Sequence, residues 1–98
     1  MKEDLLKIIQ HYDVMPQLKY FQSEVFELNE AIIECELAYH YSPCQIGRGY
    51  EKHIAEEIAD VMVMLKQFQY YYGIEDKEIE EVMKYKIDRQ LERIKEGK

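Results

Sequence analysis

The sequence predicts an all-α protein, an antiparallel bundle of one short helix and three longer ones in a single domain over residues 1–98. Three observations predict it. Apolar residues recur at steps of three and four along nearly the whole chain, the period of a helix face. Gly (4) and Pro (2) are too few to interrupt long helices, and 47% hydrophobic residues argues against disorder. No stretch alternates apolar and polar strongly enough for a strand.

The elements follow in order. Leu5, Leu6, Ile8 and Ile9 predict a first helix from about residue 3 to 12. Pro16 suits the first turn of a second helix, where its missing N–H costs nothing. Leu18, Phe21, Val25, Leu28, Ile32, Cys35 and Tyr39 then form its inward stripe, which runs for roughly 36 Å of helix. Ser42-Pro43 and Gly47-Arg48-Gly49 predict a loop between Tyr41 and Tyr50. The third helix begins near Tyr50, with Ile54, Ile58, Val61, Leu65 and Phe68 inward, and Gly73 is placed to end it as a left-handed cap. Glu75 or Asp76 starts the fourth, with Ile79, Val82, Met83, Ile87, Leu91 and Ile94 inward. Its acidic first half and basic second half complement the helix dipole.

Composition excludes several functions. Lys+Arg 13 against Asp+Glu 20 leaves a formal charge of −7, which repels nucleic-acid polymers and anionic lipid. No apolar run reaches the roughly 18–20 residues of a membrane span, and no signal-peptide pattern is present, so a cytoplasmic location is expected. Cys35 and Cys44 are then expected as free thiols. P-loop and Ser/His/Asp hydrolase signatures are absent.

The informative feature is where some carboxylates fall. At about 100° per residue, Glu24 lies within about 60° of the second helix's apolar centre, and Glu27 about 60° further round. On the third helix Glu57 lies about 60° from the centre and Asp60 about 120° away. Two neighbouring helices thus each carry a carboxylate pair on the shoulder of the buried face. Four such groups facing each other repel unless protons, basic partners or a divalent cation intervene. Mg²⁺ takes oxygen ligands of this kind. Periodicity leaves open whether these acids are solvated, paired with bases or hold a cation. His53 precedes Glu57 by one turn and Tyr20 precedes Glu24 by one turn. Both are candidates to touch a ligand, against the plainer role of surface or packing residue. Tyr70-Tyr71-Tyr72 reads as a helix end with subunit contact, and Arg48 as a loop residue able to close over phosphates.

These residues resemble a known family. Gln17-Leu-Lys-Tyr-Phe-Gln-Ser-Glu-Val-Phe-Glu-Leu-Asn-Glu-Ala-Ile32, then Ala55-Glu-Glu-Ile-Ala-Asp-Val-Met-Val-Met-Leu65, look like the MazG-like all-α nucleoside triphosphate pyrophosphohydrolases. That family's pattern is Glu-Glu-x-x-Glu, a spacer, then Glu-x-x-Asp, and the likeness continues through Lys86-Ile-Asp-Arg-Gln-Leu-Glu-Arg93. The resemblance implies hydrolysis of a (d)NTP to the monophosphate and pyrophosphate, as nucleotide-pool housekeeping. It implies Mg²⁺ (or Mn²⁺) held by Glu24, Glu27, Glu57 and Asp60, phosphate contacts from Lys86 and Arg89, and a homodimer or dimer of dimers. Two departures stand out. Ser23 occupies the place of the family's first glutamate, which leaves Glu56 or Glu27 as weak candidates for activating water. The spacer between Glu27 and Glu57 is 29 residues, which predicts an enlarged loop. Phosphoribosyl-ATP pyrophosphohydrolase is a close alternative. A non-catalytic acidic helical module that docks a basic partner is the alternative from another class.

Overall fold

The computed structural model describes residues 1–41 and 49–97. It contains four helices and, among the described residues, no strand: α1 (Lys2–Tyr12), α2 (Val14–Tyr41), α3 (Gly49–Tyr71) and α4 (Asp76–Lys95). Each expected helix is present. Most of the loop expected between Tyr41 and Tyr50, with Arg48 and Cys44 in it, lies outside the described residues. None of the helices is long and apolar enough to cross a membrane.

α2 and α3 form the long pair at the centre of the fold. They run antiparallel, as the cross-helix pairs show. Gln17 meets Gln67, the Phe21 and Phe68 rings meet edge-to-face, and at the far end the Tyr39 hydroxyl donates to Glu51. α1 packs against both helices. Leu5 and Ile9 on α1, Ala31 and Cys35 on α2, and Met64 on α3 supply the fully buried apolar side chains.

The α1–α2 joint is a single residue. Asp13 has φ 72° and ψ 157°, a region that side chains other than Gly avoid. Its N–H still bonds the Ile9 carbonyl, and its own carbonyl accepts from Gln17 N–H. The chain therefore changes direction between helices without leaving those backbone groups unpaired. Pro16 sits in the first turn of α2, as its chemistry requires.

α3 ends where Gly73 adopts φ 70°. Gly73 N–H bonds the Tyr70 carbonyl and Ile74 N–H the Gln69 carbonyl, a left-handed cap of the kind a glycine permits. Asp76 then gathers the side chains of the turn. It receives Lys66 at 2.7 Å, Gln69 at 2.8 Å and the Tyr70 hydroxyl at 2.9 Å. Tyr70 thus has a structural bond, whereas Tyr71 and Tyr72 stay exposed.

The inward faces differ from the expected stripes in a consistent way. On α2 the buried positions are Gln17, Glu24, Ala31 and Cys35, with Phe21 and Leu28 half-buried; Leu18, Val25, Ile32 and Tyr39 face out. On α3 they are Glu57, Met64, Gln67 and Gln69, with Ile54, Val61 and Phe68 half-buried; Ile58 and Leu65 face out. Both helices are apolar on two sides, and the α2–α3 contact uses one side only.

α4 does not join the bundle of its own chain. Apart from the α3 side chains that bond Asp76 at its first residue, no other helix packs against it, and it contains no buried residue. Ile79 is half-buried, but Val82, Met83, Ile87, Leu91 and Ile94 are exposed rather than inward. The radius of gyration is 17.1 Å, against about 13 Å for a compact chain of this length. The reason is geometric: Gly73 and the Asp76 turn launch α4 away from the thin three-helix body.

The Asp76 turn generates a testable expectation. Hydrogen bonds from Lys66, Gln69 and Tyr70 lower the Asp76 carboxyl to about 2 from an ordinary 3.8. A depressed acid stabilises the fold above its unfolded pKa and loses that effect as pH falls through the folded one. Thermal melts between pH 4 and pH 2 should therefore show a loss of stability that Asp76→Asn flattens. At pH 7 the same variant should melt below the wild type.

Candidate metal centre

The carboxylates meet where α2 and α3 cross. Glu24 is 6% exposed and Glu57 9%, depths at which an acid normally has a partner. Oxygens of Glu24, Glu57 and Asp60 lie within 4.8 Å of one another. The helical positions explain the grouping. Glu24 sits on the α2 face turned to α3, between Phe21 and Leu28, and Glu57 occupies the matching place between Ile54 and Val61. Asp60, one turn beyond Glu57, is exposed and reaches the group from the rim.

The polar atoms at this point are not balanced internally. The Oε2 atoms of Glu24 and of Glu57 are both buried and have no hydrogen-bond partner. The one basic side chain within ion-pairing distance of Glu57, among the described residues, is His53, whose Nδ1 lies 3.9 Å from Oε1. Its side chain is half exposed, so it offsets little of the charge. Burial pushes the Glu57 carboxyl above its ordinary value, and Glu27 and Asp60 push it further, while His53 pulls the other way. Hydrogen bonding to the Glu24 carboxylate, then that carboxylate's charge, raises the Tyr20 phenol, which remains a donor at neutral pH.

The residues therefore fit a divalent cation on chemical grounds. The donors are hard oxygens, two of them have orphaned lone pairs, and the repulsion among them is what a cation relieves. Glu24, Glu57 and Asp60 are brought together. Glu27 is exposed and outside the trio, though its charge is felt at Glu57. Ser23 and Glu56 are also exposed. Lys86 and Arg89 stand exposed on α4 and are not delivered to the carboxylates by their own chain.

A cleft opens from this point. It has a volume of about 530 Å³ and lies between α1, α2 and α3, with Glu24, Asp60 and Tyr20 at one end and Gln17 and Gln67 further along. The two glutamines were missed by reading the sequence for function. Their only signal was position: each lies seven residues from a site acid, on the same helix face.

No protein-family model, curated protein or solved structure matches the chain.

The geometry yields a stability test. Burial, then repulsion from Glu27 and Asp60, disfavours the charged form of Glu57 in the fold. Glu57→Gln removes that repulsion at nearly constant shape. Without divalent cation, the variant should melt above the wild type at pH 7. The upward shift that added Mn²⁺ produces in the wild type should disappear, with Mn²⁺ affinity reduced at least about tenfold. A melt below the wild type, with the Mn²⁺ shift intact, would make Glu57 a purely structural acid.

Proposed function

We propose that this protein is a divalent-cation-dependent pyrophosphohydrolase that converts a (d)NTP to the (d)NMP and pyrophosphate. The observation that carries the reading is the pair of buried, unpartnered carboxylate oxygens on Glu24 and Glu57, beside Asp60 and open to a cleft. The motif resemblance to the MazG-like enzymes, carried by these same carboxylates and their spacing, points the same way. Glu24, Glu57 and Asp60 would hold Mg²⁺ or Mn²⁺, with Glu27 at the edge. The bound cation would neutralise phosphate charge and acidify a coordinated water.

The protein's own groups have definable tasks in this reading. Glu24, Glu57 and Asp60 would hold the cation through which the triphosphate end would be anchored. The Tyr20 hydroxyl stays protonated and donates beside Glu24. His53, one turn from Glu57, has its Nδ1 3.9 Å from the Glu57 carboxylate. Water is added across the α–β anhydride. The α-phosphorus side leaves with the nucleoside and the β,γ unit leaves as pyrophosphate.

A second copy of the chain completes the assembly. α4 presents an apolar stripe of Val82, Met83, Ile87 and Leu91 to solvent, and α2 and α3 present Val25, Ile32, Ile58 and Leu65. Isolated helices without tertiary packing are marginal in water, so α4 needs a partner surface. A dimer, or a dimer of dimers, covers both faces, and α4 of the second copy is then the route by which Lys86 and Arg89 meet phosphate.

Two experiments test this. Pyrophosphate release should be measured over a panel of NTPs and dNTPs with Mg²⁺, with Mn²⁺ and with EDTA. Metal-dependent release of pyrophosphate rather than orthophosphate is expected. Glu24→Gln and Asp60→Asn should each lose at least about a hundredfold in turnover while keeping the helical circular dichroism spectrum. Phosphoribosyl-ATP as the sole substrate would place the chain with the related hydrolases of that compound. Salt-sensitive capture of a basic protein without any turnover would instead favour the interaction module. Sedimentation equilibrium should give two or four times 11.9 kDa, and Ile87→Asp should shift it toward the single-chain mass.

A further inference from the structure

We propose that Gln17 and Gln67 form the base-reading end of the cleft, so that the preferred substrate is a nucleotide whose base offers an adjacent hydrogen-bond donor and acceptor. The inference rests on the pyrophosphohydrolase reading and adds to it what the site recognises beyond phosphate.

The glutamines are placed and satisfied unusually. Gln67 is 2% exposed and Gln17 8%, yet both line the cleft. Gln17 Nε2 donates to Gln67 Oε1 at 2.8 Å. That bond uses one donor and one acceptor of the pair. Gln67 Nε2 is left 3.6 Å from the Met64 sulfur, a weak acceptor. Gln17 Oε1 accepts no hydrogen bond from another described residue. Buried carboxamides ordinarily find full partners, because each unmade bond forfeits solvation. Gln17 Oε1 is not sealed from solvent, so it stays open on the cleft, and Gln67 Nε2 has only the sulfur; the pair offers the cleft an acceptor and a weakly used donor. If both carboxamides turn over together, the bond between them is kept and the pair still presents one of each.

Distance gives the ligand its identity. Gln17 precedes Glu24 by seven residues on α2, and Gln67 follows Asp60 by seven on α3. The two helices are antiparallel, so both amides stand two turns, about 10 Å, from the carboxylates and on the same level. That is the reach from an α-phosphate across a ribose to the far edge of a base. The space between is apolar, walled by Ile8, Val63 and Met64, with Tyr12 beyond. A flat ring fits such a wall, and a tyrosine face can stack on it. A base-free polyphosphate would leave the wall and both amides unused.

The test compares substrates that differ only at the base edge. Pyrophosphate release is followed with UTP against zebularine triphosphate, and with ITP against nebularine triphosphate. Each analogue lacks the carbonyl and N–H of the lactam. In the wild type, KM for at least one parent nucleotide should be tenfold or more below that of its analogue. Gln17→Met and Gln67→Met should each bring that ratio below about threefold, while Mn²⁺ affinity, measured by electron paramagnetic resonance, stays within twofold of the wild type. Retained Mn²⁺ binding certifies the fold of the variants, and the wild-type ratio needs no variant at all. Release of pyrophosphate from parents and analogues with equal KM overturns the base-reading role and leaves the proposed function standing. A ratio that survives both substitutions also overturns it. No release from any nucleotide, with folded wild-type protein, overturns the function and this inference together.

Discussion

Two carboxylates face each other across the α2–α3 contact, and the rest of the structure is arranged around that fact. Burying Glu24 and Glu57 in one place is unfavourable without a compensating charge. No lysine or arginine ion-pairs with either among the described residues, and His53 is too exposed to compensate fully. A protein of this size cannot carry such a cost without return, since its core holds few fully buried apolar side chains. In the proposed reading, the orphaned oxygens are where a divalent cation would supply the missing charge. The Phe21–Phe68 contact on one side and the Tyr39–Glu51 bond on the far side hold the two helices in the register that brings the acids together.

The same pair of helices explains why the single chain looks unfinished. Each has two apolar sides. The inner side is spent partly on polar side chains, namely Gln17, Glu24, Glu57 and Gln67. The outer side, with Val25, Ile32, Ile58 and Leu65, is left to water, and so is nearly all of α4. A site built from buried acids and amides removes apolar area from the core. In the proposed reading, association with a second copy supplies the missing burial, because it covers the outer faces without disturbing the inner one. In the proposed reading the oligomer and the site are therefore consequences of one compromise.

Much of this was legible in the residues, and the limits of legibility are instructive. Gly73 announced the end of α3 because a left-handed cap favours the residue without a Cβ. Pro16 announced the first turn of α2. By contrast Asp13 gave no warning of the one-residue joint, since a positive φ with extended ψ is not a conformation its residue type signals. The stripes named for α2 and α3 were real apolar faces, but periodicity cannot say which of two faces a neighbour will cover. Leu18, Val25 and Ile32 were assigned inward and lie outward for that reason. The order of depth among the acids did carry through. The angle that put Glu24 nearer the centre than Glu27, and Glu57 nearer than Asp60, matches which of them are buried.

By itself the sequence determined four helices, their approximate ends, an acidic surface and two carboxylate pairs out of place on amphipathic faces. These are local properties, set by the 100° advance of a helix and by the backbone demands of Gly and Pro. Only the tertiary structure decided that Glu24, Glu57 and Asp60 converge, that Gln17 and Gln67 meet two turns away, and that α4 departs from its own chain. Those are matters of which face meets which and in what register. They depend on the antiparallel seating of α2 on α3 and on the direction in which the Asp76 turn releases the chain, and neither is written in the spacing of any one helix.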